Sequence, residues 1–139
     1  MEINGHNYCS RCMRETAPGS VCPHCGYDGS PEQNPQVLEE GTLLNGKYQL
    51  GALIGKGGFG ITYAAWDENL DRPVAVKEYF PQDFVTRNVN QGDEVVCLDK
   101  YETHFLAGRL RFERESHLLA ALREIPNNGD LLALLRGCI

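Results

Sequence analysis

Four cysteines within the first 25 residues constrain this chain more than any other feature. They form two pairs, Cys9-x2-Cys12 and Cys22-x2-Cys25, with nine residues between the pairs. Each pair can place two thiolates on one side of a tight turn, so the two pairs together match the tetrahedral ligand set of zinc. A segment this short cannot bury enough apolar surface to fold alone, so metal binding must supply its stability. We expect a structural zinc ribbon over residues 1–30.

Two alternatives for these cysteines stay open. Two disulfides are the first, but the chain starts without the basic and apolar leader of a secreted protein, and disulfides are typical of oxidising compartments. Replacement of one thiolate by His6 or His24 is the second, although four thiolates already complete a zinc site. A complete site has no position for a reactive water, so the expected zinc is structural. Gly26 follows the second pair, where a tight turn favours glycine.

Composition and charge argue against membrane-spanning and nucleic-acid-binding proteins. The chain has 139 residues, 42% of them hydrophobic, and a net charge of -6. That suffices for one modest domain and a small module. No apolar run approaches the roughly 20 residues of a membrane-spanning helix, so we expect no membrane segment and a cytoplasmic location. The acidic balance, with only Arg11 and Arg14 as basic side chains in the ribbon, argues against a nucleic-acid partner.

Residues 31–46 are rich in proline, glycine and polar side chains. This composition is typical of a linker with some extended stiffness. We therefore expect a tether here and no packed structure.

A glycine-rich turn follows between two segments of β character, residues 48–54 and 61–66. The turn contains Gly55-x-Gly57-x-x-Gly60, a pattern that several folds share. In a dinucleotide-binding fold the last glycine begins a helix, whereas here β-branched and aromatic residues follow it. A Walker A loop is excluded because Gly57 stands where a Ser or Thr must bind magnesium. A glycine-rich turn joining two antiparallel strands remains.

A third strand is predicted at residues 74–79, and Lys77 interrupts its apolar pattern. An isolated lysine in such a strand usually faces solvent. Here it follows the last glycine of the turn by 17 residues, and this position after a glycine-rich turn favours a functional role over a solvent-facing one.

These residues resemble the protein-kinase family, specifically the eukaryotic-like bacterial Ser/Thr kinases. The matching motifs are residues 54–60 for the phosphate-covering loop and residues 74–77 for the third strand. Thr62 departs from the valine usual in the family, which is a minor variation. The resemblance implies ATP as ligand, with Mg²⁺ in a complete kinase, and it implies nucleotide contacts from Ile54, Gly55, Gly57, Gly58, Phe59, Gly60, Thr62, Ala75 and Lys77.

The resemblance also implies a glutamate that pairs with Lys77 from the next helix. Residues 103–122 have helical periodicity. Glu115 is the predicted partner, because it lies three residues after Phe112 and four before Leu119 and so faces the core. The apolar stripe of this helix is expected to comprise Phe105, Leu106, Leu110, Phe112, Leu118, Leu119 and Leu122.

Residues 88–98 are expected to form an inserted hairpin that turns near Gly92, since the spacing between Lys77 and Glu115 is longer than the family needs. Cys97 has apolar neighbours and is expected to pack inertly.

The groups that perform phosphoryl transfer are absent from these residues. The family uses a catalytic-loop aspartate with a nearby asparagine and a DFG aspartate, and the sequence contains none of these motifs. Residues 83–85 read Asp-Phe-Val, which is superficially similar to the DFG motif. They are not that motif, because they precede the helix and lack the glycine. The chain alone is therefore expected to be inactive.

After residue 127 the sequence departs from the family pattern. One helical turn, capped by Asp130 and ended by Gly137, is expected in the tail. The strand that carries Lys77 would then keep an unpaired edge and favour self-association. We expect a truncated or frame-shifted kinase gene, the alternative being a true short protein with a helical C-terminus.

The sequence thus predicts an α+β protein with four parts: a small four-cysteine zinc ribbon at 1–30, a linker at 31–46, an incomplete kinase N-lobe of antiparallel strands and one long helix at 47–127, and a divergent tail at 128–139. By resemblance it is the ATP-binding part of a Ser/Thr protein kinase, without turnover. The alternative is a non-catalytic zinc-ribbon interaction module with a residual nucleotide-binding lobe. The protein substrate and the ribbon's partner are not identified by the sequence.

Overall fold

In the computed structural model, residues 1–88, 94–121 and 131–134 are described. They form nine β-strands, a short 3-10 turn at Asp99–Tyr101 and one long helix. In chain order the elements are β1 (Glu2–Ile3), β2 (His6–Asn7), β3 (Leu43–Leu44), β4 (Tyr48–Lys56), β5 (Gly60–Asp67), β6 (Arg72–Tyr79), β7 (Val85–Asn88), β8 (Glu94–Cys97), α1 (Glu102–Ala121) and β9 (Leu131–Leu134).

The main sheet has the order β3-β4-β5-β6-β9. Its first four strands are antiparallel neighbours, so the glycine-rich turn joins two paired strands as predicted. The register between β4 and β5 shifts between Leu50 and Gly55, which bends the sheet ahead of the glycine turn. The mixed α+β class is confirmed.

The two faces of the sheet are covered by different parts of the chain. Ile61, Tyr63 and Val76 have no exposed surface and lie in the main core. Side chains alternate along a strand, so Thr62 and Ala64 lie on the opposite face. Their cross-strand neighbours there are Lys77 and Ala75.

Part of residues 31–46 packs against the main sheet, which corrects the expectation that the segment has no packed structure. Val37 and Leu38 are buried in the main core, and the Leu38 amide donates to the Tyr63 hydroxyl at 3.1 Å. The Gly41 amide donates to the Leu50 carbonyl at 2.7 Å. The segment is mostly polar, and its composition therefore predicted a solvated tether. Its few apolar side chains nevertheless pack against one face of the sheet. The domain boundaries at residues 30 and 127 stay predictions.

The ribbon contains two turns of the same geometry. The Met13 amide donates to the Cys9 carbonyl at 2.9 Å, and the Gly26 amide donates to the Cys22 carbonyl at 2.9 Å. Met13 and Gly26 both have positive φ, 58° and 76°. The glycine expected beneath the second pair is therefore confirmed, while the first turn accepts a strained methionine.

The ribbon also packs directly on the main sheet, which the sequence did not predict. Ile3 and Met13 form a second buried cluster with Ala64 and Trp66. The Tyr8 ring lies 4.9 Å from the Trp66 ring, centroid to centroid. The ribbon thus covers one end of the face that carries Thr62 and Lys77.

The tail contributes a strand, which corrects the expected helical turn. Strand β9 pairs in parallel with β6, from Ala75 opposite Leu131 to Glu78 opposite Leu134. The edge expected to be open is therefore paired over these positions, and the reason given for self-association does not hold there. Consecutive leucines suit a strand at a buried sheet edge as well as a helix. The expected cap Asp130 and stop Gly137 lie outside the described residues.

An inserted hairpin is present as the antiparallel pair β7 and β8, although its first strand begins three residues before the expected range of 88–98. Its turn near Gly92 lies outside the described residues. Cys97 is half-buried at its end and packs against the main core, as expected.

Helix α1 agrees with the predicted span, but its buried face is narrower than expected. Phe105 and Phe112 are buried, whereas Leu106 is 48% exposed and Leu110 is 56% exposed. The expectation that Leu106 and Leu110 face the core is wrong, because the helix contacts the sheet along a single line of residues. The side chains of Leu118 and Leu119, and all of Leu122, lie outside the described part. Among the described helices, none has the length and apolar character to cross a membrane.

Candidate functional site

The four ribbon cysteines converge on one point. Cys9 Sγ lies 3.6 Å from Cys25 Sγ, and Cys12 Sγ lies 3.7 Å from Cys22 Sγ. All four sulfurs lie within 4.8 Å of one another. Four thiolates at about 2.3 Å from one ion would hold their sulfurs about 3.8 Å apart in a tetrahedron. The spacing fits a single metal ion.

The same distances argue against the two disulfides. A disulfide brings its sulfurs to about 2.05 Å, much closer than the pairs seen here. All five cysteines of the described residues are free thiols. His6 and His24 do not belong to the cluster of potential ligands, and His6 instead contacts Glu15 at 2.9 Å.

The thiols differ in their affinity for protons. Burial raises the pKa of Cys12 to about 12. Burial acts in the same direction on Cys22, but hydrogen bonds from the backbone amides of Cys25 and His24 and from the neighbouring thiols together outweigh it and lower the pKa of Cys22 to about 7. For Cys25 the Tyr27 amide favours the thiolate, yet burial and neighbouring thiols outweigh it and the pKa is raised. Four crowded thiolates repel each other, and a divalent cation would remove that repulsion.

The glycine-rich turn forms a second candidate site. The Gly57 amide donates to the Gly60 carbonyl at 2.9 Å and closes the turn between β4 and β5. The Gly58 and Phe59 carbonyls accept hydrogen bonds from the amides of Gln82 and Phe80, at 3.3 Å and 3.0 Å. The turn is thereby attached to the segment that follows β6.

The predicted nucleotide contacts at this turn differ in exposure. Gly55, Gly57 and Gly58 are exposed, as is Ile54, while Phe59 is 68% exposed. The last glycine, Gly60, is buried. A hydrophobic side chain as exposed as that of Phe59 gains little stability from its position.

Lys77 lies beneath the turn. A Cβ built on Gly60 would lie 3.4 Å from the Lys77 Cε atom and 2.9 Å from the Glu78 carbonyl. The overlap with the Glu78 carbonyl is what favours glycine here, and the lysine stem lies in van der Waals contact with the same position. The Lys77 Nζ atom lies 5.5 Å from the centroid of the Phe112 ring of helix α1, within reach of a cation–π contact.

Thr62 and Ala75 lie beside the lysine on the same face. Thr62 is directly opposite Lys77, and Ala75 is directly opposite Ala64. Both Thr62 and Ala75 are half-buried. Helix α1 contacts this face near Lys77, and the ribbon covers it near Ala64, so Thr62 and Ala75 lie between the two.

Glu115 is the predicted ion-pair partner of Lys77. Glu115 belongs to helix α1, but its side chain lies outside the described part of the structure. The Lys77–Glu115 pair therefore stays a prediction.

Sequence reasoning missed a buried ion pair next to the site. Arg87 of β7 binds both carboxylate oxygens of Glu78, and its Nε donates to the Gln36 carbonyl at 2.8 Å. Both side chains of the pair are at most 3% exposed. The alternation of side chains along β6 could have predicted this pair. It puts Glu78 on the same face as the apolar residues Val74 and Val76, where a buried carboxylate needs a partner.

A cavity of about 500 Å³ lies elsewhere, between the ribbon, the segment 31–40 and strand β4. Arg11 and Tyr27 line it from the ribbon, and Ala52 and Leu53 line it from β4. None of the predicted nucleotide contacts lines this cavity, so it is distinct from the glycine-turn site.

Comparison with known proteins agrees with this geometry. The chain is 40% identical over 57 residues to the serine/threonine-protein kinase PknG of Mycobacterium leprae, which corresponds to 40% of this chain and 7% of that protein. Among solved structures, the apo form of PpkA-294 is similar with a TM-score of 0.57 and 34% identity, over 62% of this chain and 30% of that one. No family model matches the chain.

The chain therefore spans only a small part of these relatives. Within that part, the glycine-rich turn, the lysine strand and the following helix occur in the expected order. The main sheet and helix α1 form an N-lobe of the kind found in bacterial Ser/Thr protein kinases.

Proposed function

We propose that the lobe binds ATP through the glycine turn and Lys77, as part of a Ser/Thr protein kinase. The observation that supports the proposal is the contact between the last glycine of the turn and the Lys77 stem, whose Cε atom lies 3.4 Å from the Cβ position of Gly60. The turn from Gly55 to Gly60 would cover the phosphates with the backbone amides of Gly58 and Phe59, while the Gly57 amide closes the turn on the Gly60 carbonyl. Lys77 would hold the α- and β-phosphates.

The base would lie against the half-buried pair Thr62 and Ala75, with Ile54 at its edge. These side chains are small or apolar, which suits contact with the flat faces of adenine. Glu115 would orient Lys77 through an ion pair. In a complete kinase Mg²⁺ neutralises charge that develops on the phosphates.

Titration of the full chain with Mg-ATP tests this proposal. Wild type is expected to bind nucleotide, and Lys77→Ala is expected to weaken binding about tenfold or more. Lys47→Ala is the matched control, because the Lys47 Nζ atom also lies over an aromatic ring, 4.5 Å from the Tyr48 centroid, at the far end of β4. It should leave the affinity unchanged.

Equal affinities of wild type and Lys77→Ala would contradict the assignment of the site. That result would favour the alternative, a non-catalytic ribbon module whose lobe serves only for interaction. The expected inactivity of this chain is tested separately, because the catalytic-loop and DFG groups are absent from its sequence. Transfer of labelled γ-phosphate to a protein substrate by this chain alone would contradict it.

For the ribbon we propose one structural zinc ion on Cys9, Cys12, Cys22 and Cys25. The sulfur spacing and the complete set of four thiols support it. Metal analysis of reduced protein should find one zinc per chain. Iron also accepts four thiolates, so the same measurement must quantify iron, and iron in place of zinc would contradict the metal assignment.

We further propose a cytoplasmic location, supported by the free thiols of the ribbon, which a reducing compartment preserves. ATP and a protein substrate are the proposed partners. Nucleic acid is not among them, because the chain is acidic.

A further inference from the structure

We propose that Tyr79 and Gly108 are positioning residues that fix the depth of helix α1 against strand β6 and thereby hold Lys77 in place. The inference rests on the proposed nucleotide site and adds two residues that do not touch the nucleotide themselves. It follows from three contacts between the helix and the end of the strand.

The first contact is a buried hydrogen bond. The Tyr79 hydroxyl donates to the Phe105 carbonyl of helix α1 at 2.8 Å. Tyr79 is 1% exposed, and Phe105 is equally buried. A buried hydroxyl without a partner is costly, so this bond ties the last residue of β6 to one turn of the helix.

The second contact is a close approach at Gly108. A Cβ built on Gly108 would overlap the Tyr79 hydroxyl oxygen and would lie 3.3 Å from its Cζ atom. A glycine inside a helix lowers helix stability relative to alanine. Here the missing side chain lets the helix backbone approach the tyrosine.

The third contact connects this arrangement to the site. The Phe112 ring lies one turn further along the helix, 5.4 Å from the Tyr79 ring by centroid distance. The same ring faces the Lys77 ammonium group, and its Cε2 atom lies 3.7 Å from the Cβ position of Gly60. A helix displaced outward at Gly108 would therefore withdraw Phe112 from both Lys77 and Gly60.

Phe105, Gly108 and Phe112 follow the spacing i, i+3, i+7, which is one face of a helix. Position 115 continues this spacing. The depth of the helix at Gly108 would thus also determine how far the proposed Lys77 partner stands from the lysine.

A two-residue cycle tests the inference. Gly108→Ala should push the helix away. Gly108→Ala combined with Tyr79→Phe should restore part of its position, because the second change removes the overlapping oxygen but also the hydrogen bond to Phe105. The position is measured by the nuclear Overhauser effect between the Gly60 α-protons and the Phe112 ring protons. We expect this signal in wild type, its loss in Gly108→Ala, and its partial return in the double variant.

Nucleotide affinity provides the functional readout on the same proteins. Gly108→Ala should weaken Mg-ATP binding about tenfold, and the double variant should recover part of that loss. Tyr63→Phe is the matched control, because Tyr63 is another fully buried tyrosine whose hydroxyl is bonded to a backbone group, on the opposite face of the sheet. It should lower stability without changing the Gly60–Phe112 signal or the affinity.

The outcomes separate this inference from the proposed function. An unchanged signal in Gly108→Ala overturns the inference, as does a signal that the double variant fails to restore. If wild type binds ATP through Lys77 but Gly108→Ala binds it equally well, the positioning role is also overturned. If wild type does not bind ATP while the signal changes as expected, the helix contact stands and only the nucleotide assignment fails.

Discussion

The Ala52 amide donates a hydrogen bond of 2.7 Å to the carbonyl of Ser10, between the two cysteines of the first ribbon pair. This bond joins the turn that carries Cys9 and Cys12 to strand β4, three residues before Gly55. The ribbon is therefore packed as part of the lobe, and changes in either are expected to affect the other.

Loss of the metal should destabilise the lobe as well as the ribbon. Cys12→Ser is expected to abolish metal binding and to release the Tyr8 ring from Trp66. Trp66 is the single tryptophan of the chain and is 6% exposed, so its fluorescence emission should shift to longer wavelength. Cys97→Ser is the control, since Cys97 lies outside the metal cluster. A Cys12→Ser protein with unchanged emission and unfolding midpoint would contradict this coupling.

Gly51 provides a sharper test of the ribbon contact. A Cβ at Gly51 would overlap the Ser10 carbonyl oxygen and lie 2.6 Å from the Met13 Cε atom. Gly51→Ala should therefore destabilise the protein by about 1–3 kcal/mol, measured by urea denaturation. Gly57→Ala should change stability by less than about 0.5 kcal/mol, because no atom lies within 4 Å of its Cβ position. Similar effects from both substitutions would show that the ribbon does not pack as described.

Replacing one partner of the buried Glu78–Arg87 ion pair should strongly lower the free energy of unfolding. Arg87→Met leaves the Glu78 carboxylate buried without its partner and is expected to cost about 3–5 kcal/mol. The double variant Arg87→Met with Glu78→Leu should recover most of this loss, because it removes both charges. Chemical denaturation of wild type and both variants measures the difference.

The exposed pair Arg109–Glu113 serves as the control for that measurement. Its atoms are 3.3 Å apart, and its side chains are 37% and 33% exposed. Arg109→Ala should cost no more than about 0.5 kcal/mol. A loss in Arg87→Met that is as small as this would contradict the burial of the pair.

Tyr27 should make the protein less stable at high pH. Burial, together with its hydrogen bond to the Glu40 carboxylate, raises the pKa of Tyr27 to about 12. In the unfolded chain a tyrosine ionises near pH 10, about the usual value. The protonated Tyr27 hydroxyl therefore contributes fully to the free energy of unfolding below about pH 10, and this contribution is lost as the pH rises toward 12. The urea midpoint of wild type should fall more between pH 8 and pH 11 than that of Tyr27→Phe. Equal decreases in the two proteins would show that the hydroxyl is not protected.

The sequence determined the local elements and the identity of the candidate ligands. Two cysteine pairs at fixed spacing predicted a cluster of four thiols that could hold a metal ion, and the structure has this cluster, because turn geometry is a local property. Likewise, Gly55, Gly57 and Gly60 before a β-branched segment predicted a turn between strands, and β-alternation placed Lys77 in the third strand. These inferences need only neighbours along the chain.

Tertiary structure decided which distant residues meet. Met13 against Gly51, Arg87 with Glu78, and Tyr79 against Gly108 are separated by 9 to 38 residues, and no periodicity joins them. The same holds for β9, where a run of leucines satisfies a helix and a strand equally until the open edge of β6 offers hydrogen-bond partners. Burial and backbone pairing depend on the whole fold, whereas turn and strand propensities act within a few residues, and this is why the sequence identified the parts but only the folded chain fixed their contacts.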